Sequence, residues 1–417
     1  MTGFDETYLG TQATCQALLQ RILQSPDALW LDDSRGLGTS WLMAGARHQV
    51  SSSTTLASEL AALELAPHEL MAGFLGYPAP PDPSHGPDLP DHGIGIYSWH
   101  LRIHQDDVYF VGDAASASWQ ALQSPRDLPL QPFKLLSAFS SSWNINDYAR
   151  AFTRIQSYLQ AGDCYQINLC QHYAATYSGD PLLAYLHLRE VSPVPYGAFM
   201  RVGTSCLLSL SPERFLSIQG RSMLSSPIKG TTPVFADPGA NATSRQSLAD
   251  SAKNRAENLM IVDLLRHDLG RYAHVGSVKV DPLFAIQSFA QVHHMVSDIH
   301  AELSPAYSYL DALLGCFPGG SITGAPKHRA MQIIAALEPI PRSAYCGSIF
   351  CLGKDFLESS IAIRTLVADA QGTLHAWAGG GITADSTLDD EYEECNHKIG
   401  ALLRALEQSF SSSSEPL

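Results

Sequence analysis

The chain has 417 residues, 45% of them hydrophobic and 16% charged, with 26 lysines and arginines against 41 aspartates and glutamates. That is ample material for a core, and the length allows two or three ordinary domains or one large catalytic body. A formal net charge of −15, with no stretch that gathers lysine and arginine, argues against phosphate-backbone binding, so no nucleic-acid partner is expected.

Taken in chain order, Met1 to Gln20 lacks a basic segment followed by an apolar core, and no run of 18 apolar residues occurs, so no membrane association is expected. Gly73-Phe-Leu-Gly-Tyr-Pro is followed by a proline-rich stretch from Pro78 to Pro90 that reads as a surface loop. A seam falls at Pro125 to Pro132 and Ser137 to Ser142. It divides an N-terminal region, 1–140, from a second region, 141–407. Three strands are predicted next, at Cys206–Leu210, Glu213–Ile218 and Met223–Ile228, forming a meander. A two-residue turn at Gln219-Gly220 sets Glu213 opposite Ser226, with Lys229 three residues beyond that pair. Ser251 to Tyr272 reads as a helix with Met260, Ile261, Leu264 and Leu265 on its apolar side. Phe317-Pro-Gly-Gly-Ser321-Ile-Thr323-Gly-Ala-Pro326-Lys327 leads into another helix, whose N-terminus offers free N–H groups to an anion. It is not a Walker A loop, since Gly324 is followed by alanine. The strand-like run from Thr373 is followed by Gly379, Gly380 and Gly381, and a last helix buries Ile399, Leu402, Leu403 and Leu406. Residues 408–417 are expected to form a disordered tail. The eight cysteines show no Cys-x-x-Cys pair and no ligand spacing with histidine, so reduced thiols and a cytoplasmic location are expected.

Three groups of residues could carry chemistry, and each also has a plainer reading. Lys229, in Pro-Ile-Lys-Gly-Thr, is either a solvated turn lysine or a nucleophile sharing one rim of a sheet with Glu213. Glu257 shares the apolar face of its helix, one turn before Ile261, as a boundary residue or as a metal ligand. Glu391, Glu394 and Lys398 fall on one side of the last helix, as a salt-bridge ladder or as part of a carboxylate site for Mg²⁺.

The chain resembles the chorismate-utilising enzymes, from about Asn144 to Leu406, with a looser match before that. The motifs are Gly162 to Asn168, Ser211-Pro-Glu213, Pro227 to Thr231, Ala256 to Asp263, His294 to Ser297, Phe317 to Lys327, Ile361 to Thr365, the Gly379 run, and Glu391 to Lys398. Lysine within Pro-Ile-Lys-Gly-Thr marks the aminodeoxychorismate branch, where anthranilate synthases typically carry alanine. The resemblance implies an α+β fold: two large, mostly antiparallel sheets packed as a sandwich with helices outside, the N-terminal region contributing strands. It also implies Mg²⁺-dependent amination of chorismate at C4 with ammonia, giving 4-amino-4-deoxychorismate for 4-aminobenzoate and folate synthesis. On that reading Lys229 attacks C2 of the ring, Glu213 protonates the departing 4-hydroxyl, and His294 packs beside the ring. Glu257 and Glu394 match direct metal ligands, and Glu391 a ligand acting through water. Arg364 with the N–H groups of Gly380 and Gly381 takes the enolpyruvyl carboxylate, near Tyr345 and Lys398; Ser321 and Thr323 complete the substrate contacts.

The resemblance further implies an effector pocket for tryptophan at Ser34, Thr39, Ser40, Trp41, Leu42, Pro195, Tyr196 and Gly197, although the signature common there is missing. No Gly-x-Cys-x-Gly glutaminase elbow is present, so a separate glutamine amidotransferase subunit is the expected partner. His267, Asn254 and Phe350 depart from the family pattern, and the first and third are expected near the site. The alternatives are an anthranilate synthase component, an isochorismate synthase, and a non-catalytic binding subunit.

Overall fold

A computed structural model describes residues 6–51, 55–78, 86–123, 129–289 and 292–411. Among these residues a 13-stranded and a 9-stranded sheet face each other, with helices outside, and a 3-stranded sheet stands beside them. The α+β sandwich is therefore as expected, with the small third sheet an addition. The N-terminal strands Thr7–Thr11, Leu29–Asp32, Thr39–Met43, Trp99–His104 and Asp107–Gly112 belong to the larger sheet. His48–Ser51, Leu70–Leu75 and His92–Tyr97 belong to the smaller one. One apolar core runs between the sheets and takes side chains from both ends of the chain, among them Leu29, Phe74, Leu208 and Leu366.

The predicted meander is not formed. Ser205–Ser211 lies in the larger sheet and Arg214–Gln219 in the smaller, because the chain crosses between sheets at Pro212, whose missing N–H ends the ladder. A second crossing runs the other way, from Phe356–Ile361 in the smaller sheet to Thr365–Ala368 in the larger. The two crossings are bonded side by side. Leu210 N donates to Arg364 O (3.0 Å) and Ile361 N to Glu213 O (3.1 Å), while Ser211 Oγ donates to Ile361 O (2.6 Å).

The hairpin register is also corrected. Gln219 pairs with Ser222 and Ser217 with Leu224, so the turn is Gly220-Arg221, with Gly220 at φ +58° where a two-residue turn needs a left-handed residue. The expected Glu213–Ser226 pair does not form, since that strand ends at Ser225. Lys229 lies instead on Ile228–Pro233 of the 3-stranded sheet, whose register slips between Ile228 and Thr231 against Val292–Val296. Such a bulge re-aims the side chains it contains.

The helix Ala252–Gly270 starts at Ser251, whose hydroxyl caps Asn254 N, and buries Ile261, Val262, Leu265 and Leu269. The helix Leu388–Phe410 opens on Asp389, Asp390 and Glu391, which suit the positive end of its dipole. Its buried Ile399, Leu402, Leu403 and Leu406 are the ones predicted, and it packs on the strand Thr373–Ile382. That strand runs through all three glycines in a ten-residue ladder with Gln166–Ser178. At the C-terminus the helix reaches Phe410, and Ser411 bridges to Leu135. Residues 412–417 of the expected tail, 79–85 of the proline-rich loop and 124–128 at the seam lie outside the described residues.

Arg342 ties these parts together from the interior, where it is only 2% exposed. It donates to Ile322 O and Asn168 O (2.8 Å each) and forms a two-point pair with Glu338 at 2.8 and 2.7 Å. Replacing Arg342 by alanine removes the counter-charge of Glu338, leaving it the Cys170 N–H bond at 2.9 Å, and takes a donor from two carbonyls, and should cost about 3–5 kcal/mol. Urea unfolding checks this; a loss below about 1 kcal/mol would contradict it.

Candidate active site

A cavity of about 640 Å³ opens beside the two crossings. Its walls come from the crossings, the bulge at Lys229, the turn at Ser321, and the helices that carry Glu257 and Glu394. Lys229, Glu213, His294, Glu257, Glu394, Arg364, Tyr345, Gly381, Lys398 and Ser321 all line it. Glu213 and Lys398, 185 positions apart in sequence, thus meet in one space.

Ser321 joins the acid to the amine. Its hydroxyl donates to Glu213 Oε1 at 2.8 Å, and its carbonyl accepts from Lys229 Nζ at 3.1 Å. The turn Gly320–Ile322 can come this close because glycine precedes it: a Cβ at Gly319 would stand 2.6 Å from Ile361 Cδ1, and one at Gly320 2.5 Å from Leu264 Cδ2. Lys327, at the start of the following helix, turns to Asp268 (2.6 Å) and Cys316 O (3.0 Å), and lies outside the cavity lining.

Burial and charge shift the pKa values of Glu213 and Lys229 in opposite directions. Burial of the 6% exposed Glu213 raises its pKa, against the opposing effects of Lys229 and the Ser321 hydroxyl. Burial lowers the pKa of Lys229, and the Lys398 ammonium lowers it further. His294 is pushed down to about 4 by burial and by Arg364, so the ring that meets Thr231 Oγ1 at 2.8 Å is neutral at physiological pH. Arg364, at φ +50° in the second crossing, has its pKa lowered by burial and has no carboxylate partner among the described residues.

Three carboxylates from two helices approach one wall. Burial raises Glu257 and Glu391; at Glu394 burial works the same way but Lys398 outweighs it, and the pKa is lowered. Lys398 Nζ lies 2.5 Å from Glu394 Oε1 and 2.9 Å from Gly379 O, so the salt-bridge reading of this helix face holds for that pair. Among the described residues no group of three or more His, Cys, Asp or Glu is already gathered for a metal. Glu391 does not line the cavity. Its Oε1 accepts from Ser386 Oγ (2.7 Å), and its Oε2 is buried without a hydrogen-bond partner. Gly380 faces this pair and not the cavity, for a Cβ there would stand 2.7 Å from Glu391 Oε2 and 3.3 Å from Glu394 Oε1. Thr323 is likewise outside the lining, its hydroxyl bonded to Gly319 O and Gly320 O.

The sequence reading missed Lys253, Asn254, Asn168 and Trp377 as lining residues. Lys253 precedes Glu257 by one helical turn and lies 3.7 Å from Glu391 Oε1, while Trp377 alternates with Gly379 and Gly381 on one strand face. Helical and strand periods would have found both. Of the two departures expected near the site, His267 is exposed and lines nothing, and Phe350 lines a different cavity.

Residues 21–404 match the family of chorismate binding enzymes. The chain belongs to that family. It is 47% identical over 326 residues to aminodeoxychorismate synthase component 1 of Salmonella typhimurium, covering 76% of this chain and 71% of the relative. It is 38% identical over 270 residues to anthranilate synthase component 1 of Pseudomonas aeruginosa, covering 64% and 55%. The menaquinone-specific isochorismate synthase of Escherichia coli shares the fold, with a TM-score of 0.79 and 18% identity over 97% of this chain and 94% of that one. This family member is thus an enzyme subunit.

The residues expected to form one effector pocket are divided. Thr39, Trp41, Pro195, Tyr196 and Gly197 line a space of about 60 Å³ between the sheets, with Phe350 opposite. Ser34 and Ser40 line an adjoining polar hollow of about 230 Å³, and Asp32 and Asp33 line both spaces. Leu42 is core and lines neither. The first space is smaller than a cavity of roughly 150 Å³ that holds a benzene ring. Tryptophan at saturating concentration should therefore shift neither melting temperature nor rate; a clear rise in melting temperature would show that the space opens.

Proposed function

We propose that this chain aminates chorismate at C4 with ammonia, giving 4-amino-4-deoxychorismate on the way to 4-aminobenzoate and folate. The observation that carries the reading is Ser321, which holds a lysine of lowered pKa and a carboxyl of raised pKa within one hydrogen-bonded unit. The similarity to aminodeoxychorismate synthase component 1 supports it.

The chemistry follows from this pair. The Lys229 amine forms a bond to ring C2 as the C4–O bond breaks, and water leaves with the proton of Glu213. Ammonia then bonds to C4 as the C2–N bond breaks, releasing Lys229 neutral, and the new ammonium returns a proton to the Glu213 carboxylate. Arg364, which lacks a carboxylate partner among the described residues, receives the carboxylate of the enolpyruvyl arm. His294, neutral and bonded to Thr231, packs beside the ring. Glu257, Glu394 and Glu391 fit a hard divalent cation such as Mg²⁺: all donors are oxygens, and the unpartnered Oε2 of Glu391 has an open bonding position. When bound, that ion would neutralise the ring carboxylate of chorismate.

The name of the relatives as component 1 supports a glutamine amidotransferase subunit as the source of ammonia. All eight cysteines are free and buried, which fits a reducing cytoplasm, and no helix among the described residues is long and apolar enough to cross a membrane.

Chorismate, ammonia and Mg²⁺ should give aminodeoxychorismate, identified by mass spectrometry, and 4-aminobenzoate once a lyase is added; anthranilate or isochorismate would overturn the reading. Glu213→Gln should lower kcat by about 10²–10⁴-fold, and Lys229→Ala should lose amination while calorimetry still shows chorismate binding.

The rate needs Lys229 neutral and Glu213 protonated, so it should fall on the acid side as the amine gains its proton and on the alkaline side as the carboxyl loses its own. The Ser321 hydroxyl holds the Glu213 pKa down. Ser321→Ala should therefore move the alkaline limb to higher pH, and a shift to lower pH would contradict the role given to this bond.

A further inference from the structure

Lys229 has the surroundings of an imine-forming amine as well as those of a displacing nucleophile. Imine formation needs an uncharged amine, an acid to expel the carbinolamine oxygen, and, for an oxo acid, a cation for its carboxylate. An amine of lowered pKa, an acid and such a cation line one cavity. Glu213 is linked to the amine through Ser321 at 2.8 and 3.1 Å, and Arg364 presents a guanidinium with no carboxylate partner among the described residues.

We propose that Lys229 is a reversible covalent site for small 2-oxo acids, pyruvate first among them, which hold it as an imine with their carboxylate on Arg364. The proposal rests on the reading of Lys229 as a nucleophile, and extends it to a second class of electrophile. The amine nitrogen bonds to the oxo carbon, and one amine proton passes to the former carbonyl oxygen. The resulting hydroxyl leaves as water with the proton of Glu213, giving an iminium ion and a Glu213 carboxylate. Water reverses each step, so no oxidant or reductant is consumed.

The chemistry of the proposed product gives this site a meaning. An aminated cyclohexadiene that still carries an enolpyruvyl ether becomes aromatic only by an elimination that expels the arm, and the expelled arm is pyruvate. The enzyme that consumes the product would release a compound able to occupy the nucleophile that makes it. Pyruvate is also the arm itself in oxo form, so a guanidinium placed for one carboxylate suits the other.

The test uses the whole chain, pyruvate as the probe and cyanoborohydride to reduce the imine to a stable secondary amine, followed by peptide mass mapping. The expected result is one carboxyethyl group per chain, on Lys229, saturating with pyruvate and blocked by chorismate. Arg364→Gln should need at least roughly tenfold more pyruvate for half-labelling, as loss of a charge-assisted bond implies. Labelling of Lys229 no faster than that of surface lysines, or a pyruvate dependence unchanged in Arg364→Gln, overturns the proposal. If Lys229→Ala loses amination but the wild-type lysine is not labelled, this inference fails and the proposed reaction stands. Labelling of Lys229 together with full amination by Lys229→Ala would leave the site and remove the reaction mechanism.

Discussion

The site depends on one constraint: two chain segments that change sheets in opposite directions must satisfy each other's backbone where neither sheet can. Glu213 and Arg364 lie in those segments, and the bonds Leu210 N to Arg364 O, Ile361 N to Glu213 O and Ser211 Oγ to Ile361 O hold them side by side. Buried backbone groups are expensive to leave unpaired, so the crossing geometry is rigid. An acid and a cation are thereby fixed at one edge of a deep space before any ligand arrives. The bulge that carries Lys229 and the glycine-preceded turn that carries Ser321 then need only reach that edge.

Charge inside the cavity is mixed. In a chain of formal charge −15, the cavity brings Lys229, Lys253, Arg364 and Lys398 together with Glu213, Glu257, Asp390, Glu393 and Glu394. A dianionic substrate must be drawn in by these local cations, because the global field repels it. The same crowding separates the protonation states: Lys398 pairs with Glu394 and retains its proton, and by its charge helps to lower the pKa of Lys229.

The motifs were legible because each lies within a short stretch. Helical spacing placed Glu257, Glu394 and Lys398 on the correct sides, and the apolar face from Ile399 to Leu406 appears as predicted. The same local reasoning failed at Ser211-Pro-Glu213. A strand, a proline and another strand look like a meander whether or not the second strand changes sheets, since each strand keeps its own alternation either way. The hairpin slip to Gly220-Arg221 is of the same kind, because either pair of residues makes an acceptable turn and only the partner strands choose. Gly380 and Thr323 belong to matching motifs and yet turn away from the cavity, since a motif fixes which residues are near and not which way each one faces.

The sequence by itself therefore determined the family, the α+β class, the candidate nucleophile and acid, and the helices that bring carboxylates forward, all of them properties carried by residue type and local period. The tertiary structure alone decided that Ser321 would bridge Glu213 and Lys229, that Arg364 would stand without a carboxylate partner among the described residues, and that the expected effector residues would divide between two adjoining spaces. Those outcomes depend on distances between segments far apart in the chain, and such distances are set by which sheet each strand joins.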